Sequence, residues 1–483
     1  MNSKPSSLPV LDGLRAILGS KYILTDREQT ASFVRDWSGD YISAPLCIAL
    51  PGSVDEISAL LRFCAENELH VVPQGGNTGL VAGCHVTDSE RTIIINLKRL
   101  NRIKSIDAAN YTMEVEAGCI VQDVREHAEV NKLLFPLSFG AQGSAQIGGA
   151  LATNAGGLNV LRYGMARDLV LGVEVVLPDG QVLDTLSNLR KDNRGLDLKQ
   201  LFLGTEGTLG MITAASLKLF PQITNQETAF VAMKDVASAV EFYQLARGHC
   251  SDLLTAFELI PRACVELAVG HQTSLRDPLA SPYPVYVLFE IASSGPLDLR
   301  DLIETMLELA IENNIILDGT MAESGQQANA LWAIREAMVE AQASYRRHLR
   351  TDISVPVSDI PKFIDRAKAL LAKIAPQWTP LAYGHIGDGN VHFNALPPGD
   401  LADGEIEIGI KKILAEIYSI VDELNGSISA EHGIGRSRRE AFASRQQPVA
   451  GSLSQTIKEI LDPGGILNPG CLYPPLGAHR QTP

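Results

Sequence analysis

Three glycine-rich runs inside the first 221 residues constrain this chain more than any other feature: "PQGGNTGL" (73–80), "GAQGSAQIGGALATNAGG" (140–157) and "LFLGTEGTLGMIT" (201–213). Glycine lets a backbone approach a ligand closely and turns its N–H groups toward an anion. Taken singly, each run reads as an ordinary turn. Three of them, each beside an expected strand, point to one cradle. The cradle is neither of the two commonest kinds. No Gly-x-x-x-x-Gly-Lys-Ser/Thr occurs, and no Gly-x-Gly-x-x-Gly opens a helix, so the triphosphate loop and the Rossmann fingerprint are both missing.

Around these runs, short β-branched segments alternate with helical ones. "APLCIALP" (44–51), "HVVPQ", "TIIINL" (92–97) and "YTMEVEAG" (111–118) read as strands, and 54–68 and about 120–132 as helices. "DLVLGVEVVLPDGQVLD" (168–184) reads as two strands joined by a Pro178-Asp179-Gly180 turn. The third glycine run leads into an alternating strand that ends near Pro221. From about 227 the pattern changes to strands such as "TAFVAM" and "PVYVLFEIA" between long amphipathic helices near 236–248, 299–314, 325–348 and 360–375. That pattern suits an antiparallel sheet covered by helices. A chain of 483 residues exceeds one hydrophobic core. The expected organisation is α+β throughout: a helical lead (1–43), a cofactor domain of two α+β subdomains (44–221), a substrate domain (222–440) and a tail (441–483) that returns to the cofactor domain.

Charge and cysteine usage narrow the partners. The formal net charge of −15, with no basic run before "RSRR" at 436–439, argues against a nucleic-acid surface. Seven cysteines at 47, 64, 84, 119, 250, 264 and 471 form no Cys-x-x-Cys and no disulfide framework, which fits a reducing compartment. The opening residues lack a signal-peptide pattern and instead lead into an amphipathic helix from Leu8 to Leu18, and no run is long enough to span a bilayer. The cytoplasm is the expected location.

The second half carries two further motifs, "YGHIGDGNVHFN" (383–394) and "SAEHGIGRSRRE". His385, His392 and Glu431 form a ligand set suited to zinc, manganese or iron, provided the Gly387-Asp388-Gly389 bend folds one arm onto the other. A turn with internally satisfied histidines is the alternative. His432 beside such a centre is a candidate proton acceptor, or else a surface histidine at a glycine turn.

In order and wording, the three glycine runs resemble the FAD-binding domain of the vanillyl-alcohol-oxidase superfamily, the PCMH type. "GHIGDGNVHFN", "SAEHGIGRSRR" and "LDPGGILNPG" resemble the FAD-linked oxidase C-terminal domain of D-2-hydroxy-acid dehydrogenases. The wording is nearest the hydroxyglutarate branch, with the D-lactate and glycolate enzymes close by. The likeness covers nearly the whole chain except its termini. It implies non-covalent FAD, because Asn77 stands where some members carry a flavin-linked histidine.

By that resemblance Pro73, Gly75, Gly76, Asn77, Thr78, Gly79 and Leu80 wrap the pyrophosphate. Gly143, Ser144, Ile147, Gly148, Gly149, Thr153, Asn154, Gly156 and Gly157 line the pyrophosphate and isoalloxazine. Glu206, Gly207, Gly210 and Ile212 follow the adenosine and ribitol, and Asn468 joins from the tail. His385, His392 and Glu431 hold the metal, and His432 is the catalytic base at the substrate. Arg335, in a Trp-x-x-Arg-Glu sequence, grips the α-carboxylate. Asn390 touches the same end. Val339 and Arg350 stand where the hydroxyglutarate branch has Thr and Lys for the distal carboxylate. Arg350 keeps a charge there, and Val339 has no hydroxyl.

The implied activity is oxidation of a D-2-hydroxy acid, D-2-hydroxyglutarate first and D-lactate or glycolate next, by deprotonation at a metal and hydride transfer to flavin. Electrons would leave to an electron-transfer flavoprotein, a quinone or a cytochrome. A homodimer is compatible with the sequence. Two rival classes are a metal-dependent hydrolase, which leaves the glycine runs unexplained, and a non-catalytic flavoprotein subunit.

Overall fold

The computed structural model describes residues 7–37, 39–345 and 347–474. It is an α+β protein that divides into two compact units, one formed by the chain up to Gly157 with Met165–Pro221 and the chain from Glu431, the other by Leu158–Gly164 and Gln222–Ala430.

In the first unit, β1 (Ile23–Leu24), β2 (Cys47–Ala49), β3 (His70–Gln74) and β4 (Thr92–Asn96) make a four-stranded sheet in the order β1-β2-β4-β3. β2 and β3 both run parallel to β4, and the helix Val54–Glu66 makes the crossover from β2 to β3. Ser53 caps that helix by accepting from the Glu56 N–H at 3.2 Å, and Ile57, Leu60, Leu61 and Cys64 form its buried stripe. A second sheet is antiparallel: β5 (Ile103–Asp107), β6 (Thr112–Glu116), β8 (Val170–Val176), β9 (Val182–Asp184) and β10 (Met211–Lys218), in the order β5-β6-β10-β8-β9. A short pair, β7 (Leu133–Leu134) with β11 (Phe220–Pro221), accompanies it. The Pro178-Asp179-Gly180 turn joins β8 to β9, with Gly180 at φ +81°. The strand expected to alternate, β10, is buried on both faces from Met211 to Leu217.

The second unit holds one seven-stranded, wholly antiparallel sheet. Its strands are β12 (Asn225–Met233), β13 (Leu254–Pro261), β14 (Val285–Ser293), β15 (Asp318–Met321), β16 (Ile353–Ser354), β17 (Thr379–His385) and β18 (Asn390–Leu396). They run in the order β15-β12-β14-β13-β17-β18-β16. Phe230, Ile260, Tyr286, Leu288, Leu381 and Tyr383 share a core with Leu331, Ile334 and Met338 of the helix Gly325–Ala343, so that helix covers one face. Leu331, Arg335, Met338 and Gln342 recur along its buried stripe, and two of the four are polar.

The return to the first unit comes at Glu431, ten residues earlier than the expected tail boundary at 441. The cause is local to residues 434–436. The Glu206 carboxylate accepts the N–H groups of Ile434 and Gly435, each at 2.8 Å, and Arg436 donates to the carbonyls of Ala82 (3.2 Å) and Gly83 (2.6 Å). No described helix is long and apolar enough to cross a membrane.

Candidate functional site

The first unit packs the three glycine runs against one another. A Cβ on Gly76 would lie 2.0 Å from the Ser144 carbonyl oxygen, and one on Gly75 3.4 Å from the Cα of Gly149. The third run joins through the Gly204 and Glu206 N–H groups, which donate to Leu151 O (3.0 Å) and Ala152 O (2.8 Å). A Cβ on Gly207 would press on the Pro73 ring at 2.9 Å, whereas Gly79 and Gly143 face open space. Asn77, Asn154 and Glu206 all have positive φ, at 56°, 51° and 53°.

The side chains at these turns are committed to shaping them. Asn77 donates to Arg35 O at 2.7 Å, Thr153 donates to Gly149 O at 3.0 Å, and Asn154 accepts from the Arg167 N–H at 3.0 Å. Their offer to a ligand is therefore backbone. Ile147, Gly148, Gly210 and Ile212 face protein: a Cβ on Gly148 would meet Ala117 at 2.8 Å, and one on Gly210 would meet Val175 at 2.5 Å. Asn468 spans the runs, donating to Gly83 O (3.1 Å) and Glu206 O (2.8 Å) while accepting from Arg436 (2.8 Å). Gln146 Oε1 is buried among these runs without a hydrogen-bond partner. A close-packed glycine cradle with an unmet acceptor fits a ligand that brings hydroxyl or amine donors together with an anion, as FAD does.

Gly76→Ala is expected to push the first run off the second and lower FAD affinity by at least about tenfold, or 1.4 kcal/mol. The readout is flavin absorbance per chain. Gly140→Ala, with nothing within 4 Å of its Cβ, is expected to leave flavin uptake at the parent level.

In the second unit, strand register places a polar cluster on the sheet face under the 325–343 helix. Tyr383 lies opposite His392, and Leu381 opposite Asn394. The two-residue period then puts Tyr383, His385, Asn390, His392 and Asn394 on one face. The bend between β17 and β18 needs Gly389, at φ +91°, where a Cβ would strike the Val355 carbonyl oxygen at 2.4 Å. Asp388 closes that bend by accepting the Asn390 N–H at 3.1 Å. The His385 and His392 rings end 5.8 Å apart at 81° and are both 8% exposed.

The residue missed by sequence reasoning is Glu258 of β13. It lies directly opposite His385 across the β13–β17 pair and is 0% exposed. One carboxylate oxygen accepts from Arg335 Nε at 2.7 Å, and the other from His385 Nδ1. Burial alone would raise its pKa, but the Arg335 charge and the hydrogen bonds donated by His385 and Arg335 outweigh burial and hold it below the usual carboxylate range. It is therefore an anion at working pH. The sequence signal was a lone Glu inside the apolar run "LLTAFELIP".

Because a carboxylate only accepts, His385 Nδ1 carries the proton and Nε2 the ring's lone pair. His392 Nδ1 lies 3.4 Å from the Thr351 carbonyl, which imposes the same tautomer. Two buried imidazoles that both present Nε2 form a donor pair suited to a divalent ion.

Arg335 also stacks over the Tyr383 ring, 5.2 Å from its centroid. Burial pushes the Tyr383 hydroxyl up to about 12, so it remains a phenol rather than a competing base. Asn390 donates its amide to Asp352 (3.2 Å) and Ile353 O (2.9 Å), which leaves Oδ1 buried and unpaired. A flipped amide would set oxygen against the Ile353 carbonyl. Asn390 therefore offers an acceptor, better matched to a hydroxyl than to a carboxylate. Three residues before Arg335, Trp332 donates to Glu290 at 3.2 Å. Val339 follows Arg335 by one turn and is exposed, and Arg350 is exposed and donates to His348 Nε2 at 3.2 Å. Glu431 and His432, both half-buried, belong to the first unit.

Residues 223–472 match the model of the FAD-linked oxidases' C-terminal domain, and residues 45–186 match an FAD-binding domain. The chain is 36% identical over 462 residues to the mitochondrial D-2-hydroxyglutarate dehydrogenase of Arabidopsis thaliana, covering 95% of this chain and 80% of that protein. It is 31% identical to the D-2-hydroxyglutarate dehydrogenase of Stutzerimonas stutzeri, covering 96% and 98%. Among solved structures, p-cresol methylhydroxylase superposes with a TM-score of 0.76 at 17% identity over 98% of both chains, a likeness of fold.

Proposed function

The chain belongs to the FAD-linked oxidase family, in its branch of D-2-hydroxy-acid dehydrogenases, and from that premise we propose that it oxidises D-2-hydroxyglutarate to the 2-oxo acid. It is an FAD-dependent oxidoreductase acting on CH–OH.

Arg335, whose Nε is engaged by Glu258, holds the substrate's α-carboxylate. Arg350 serves the distal carboxylate. His385 and His392 present Nε2 to one divalent ion, zinc first by this donor set and manganese or iron next, with Glu431 as the third ligand. Ala430, which is bonded to Glu431, has its N–H 3.2 Å from Asp352 O, immediately before β16, and β16 pairs with β18. That anchorage supports the ligand assignment. Asn390 Oδ1 accepts from the 2-hydroxyl, and His432 takes the hydroxyl proton. Bound FAD and metal supply the hydride acceptor and a Lewis acid for that hydroxyl. Holding the carboxylate fixes which face of C2 is presented. Reoxidation falls to an electron-transfer flavoprotein, a quinone or a cytochrome. Seven cysteines, none in a disulfide, support a reducing compartment, which we take to be the cytoplasm.

The observation carrying this reading is the pair of buried imidazoles on the sheet face covered by the helix that carries Arg335. Purified protein is expected to be yellow and to bleach anaerobically with D-2-hydroxyglutarate but not with its L enantiomer. Prolonged chelation should abolish bleaching, and zinc or manganese should restore it. A colourless protein that takes up no FAD overturns the reading. Indifference to chelation removes the metal, and bleaching by D-lactate or glycolate alone moves the substrate to a shorter acid, consistent with apolar Val339.

A further inference from the structure

We propose that Glu258 is a positioning residue for the reaction, one buried carboxylate that sets both the metal-binding imidazole of His385 and the carboxylate-binding guanidinium of Arg335. The inference rests on the roles given to those two residues above. Its own support is geometric. Glu258 is 0% exposed and faces His385 in register, and each of its oxygens takes one partner. The arrangement fixes His385 in the Nδ1-protonated tautomer and holds Arg335 by its Nε edge, which orients the rest of the fork. A fully buried anion is expensive to keep, and apolar replacements of buried ion pairs are often neutral or stabilising. Glu258 therefore does something an apolar residue at the same place would not: it ties the metal end of the substrate site to the carboxylate end.

A second carboxylate in the same sheet provides a control. Glu290 of β14 accepts from Trp332 (3.2 Å), Thr255 (3.1 Å) and Gln226 (2.6 Å), and none of these is His385 or Arg335. A glutamine there still offers Trp332 an acceptor.

The test compares Glu258→Gln, Glu258→Asp and Glu290→Gln as flavin-loaded enzymes. It measures zinc affinity by chelator competition, flavin per chain, and KM and kcat for D-2-hydroxyglutarate. Glu258→Gln is expected to lower zinc affinity by about 10–100-fold, as loss of an imidazole's carboxylate partner typically does. KM should rise by about tenfold or more, the equivalent of losing 1.4 kcal/mol of ground-state grip. Flavin content stays at the parent level, and Glu290→Gln keeps both zinc affinity and KM. A folded Glu258→Gln protein with parental zinc affinity and KM overturns the proposal. Should that variant not accumulate, Glu258→Asp decides instead. It keeps the charge but is one methylene too short to hold both partners, so parental values in it overturn the proposal equally. If the parent enzyme binds no zinc, the metal reading fails on its own, and the KM of Glu258→Gln against Glu290→Gln still decides whether Glu258 positions Arg335.

Discussion

His385→Ala is expected to slow flavin reduction by about a thousandfold, to release the metal, and to destabilise the fold by about 3 kcal/mol. His392→Ala should match it in the first two effects and not in the third. In the proposed site each imidazole is a metal ligand, and Lewis-acid stabilisation of a developing alkoxide is worth several kcal/mol, at 1.36 kcal/mol per tenfold in rate. The stability difference comes from what each Nδ1 touches. His385 donates to a carboxylate that is 0% exposed, so its removal strips a buried anion of one of its two charge-assisted donors. His392 faces a neutral carbonyl at the long distance of 3.4 Å, a contact worth no more than about 1 kcal/mol. Stopped-flow flavin bleaching, metal content and urea unfolding of both variants check the three effects separately. Equal loss of stability in the two would mean that Glu258 does not depend on His385.

Glu258 also marks where the sequence stops being legible. Glycine runs announce themselves because a glycine's conformational freedom is a property of the residue, and the bend between β17 and β18 is local for the same reason. Long amphipathic helices and the β8–β9 turn were readable on similar grounds. β13 was not. "LLTAFELIP" is apolar apart from Thr255 and Glu258, so it shows no polar–apolar alternation, and its partners lie far along the chain. The register Glu258↔His385 joins residues 127 apart. Only the assembled sheet reveals it. The early return at Glu431 has a similar origin, since a carboxylate at 206 fixes backbone at 434 and 435. The helices Arg262–His271 and Asp403–Glu423 went unassigned as well. The burial of β10 on both faces runs against its expected alternation, because both neighbouring strands and the packing above them are set by distant segments. The two histidine arms stood out as candidates in the sequence, whereas the groups that contact them required the fold.

His432→Ala is expected to slow flavin reduction by about 10²–10⁴-fold, the range for a lost general base, with FAD still bound. FAD should remain because backbone contacts of the residues after His432 anchor this loop. The next residue, Gly433, sits at φ +82°, and a Cβ there would come 2.9 Å from the Glu206 carboxylate. That carboxylate in turn pins the N–H groups of Ile434 and Gly435 at 2.8 Å. None of these contacts uses the imidazole. That backbone anchorage is expected to survive the substitution, so that the loss is chemical. The sign of the pH dependence follows from the role. A base must be unprotonated to accept the hydroxyl proton, so the parent's reduction rate should fall as pH is lowered. In the alanine variant added imidazole should restore part of the rate. Parental reduction rates would move the base to another group. Loss of FAD together with activity would make His432 a structural residue of its loop.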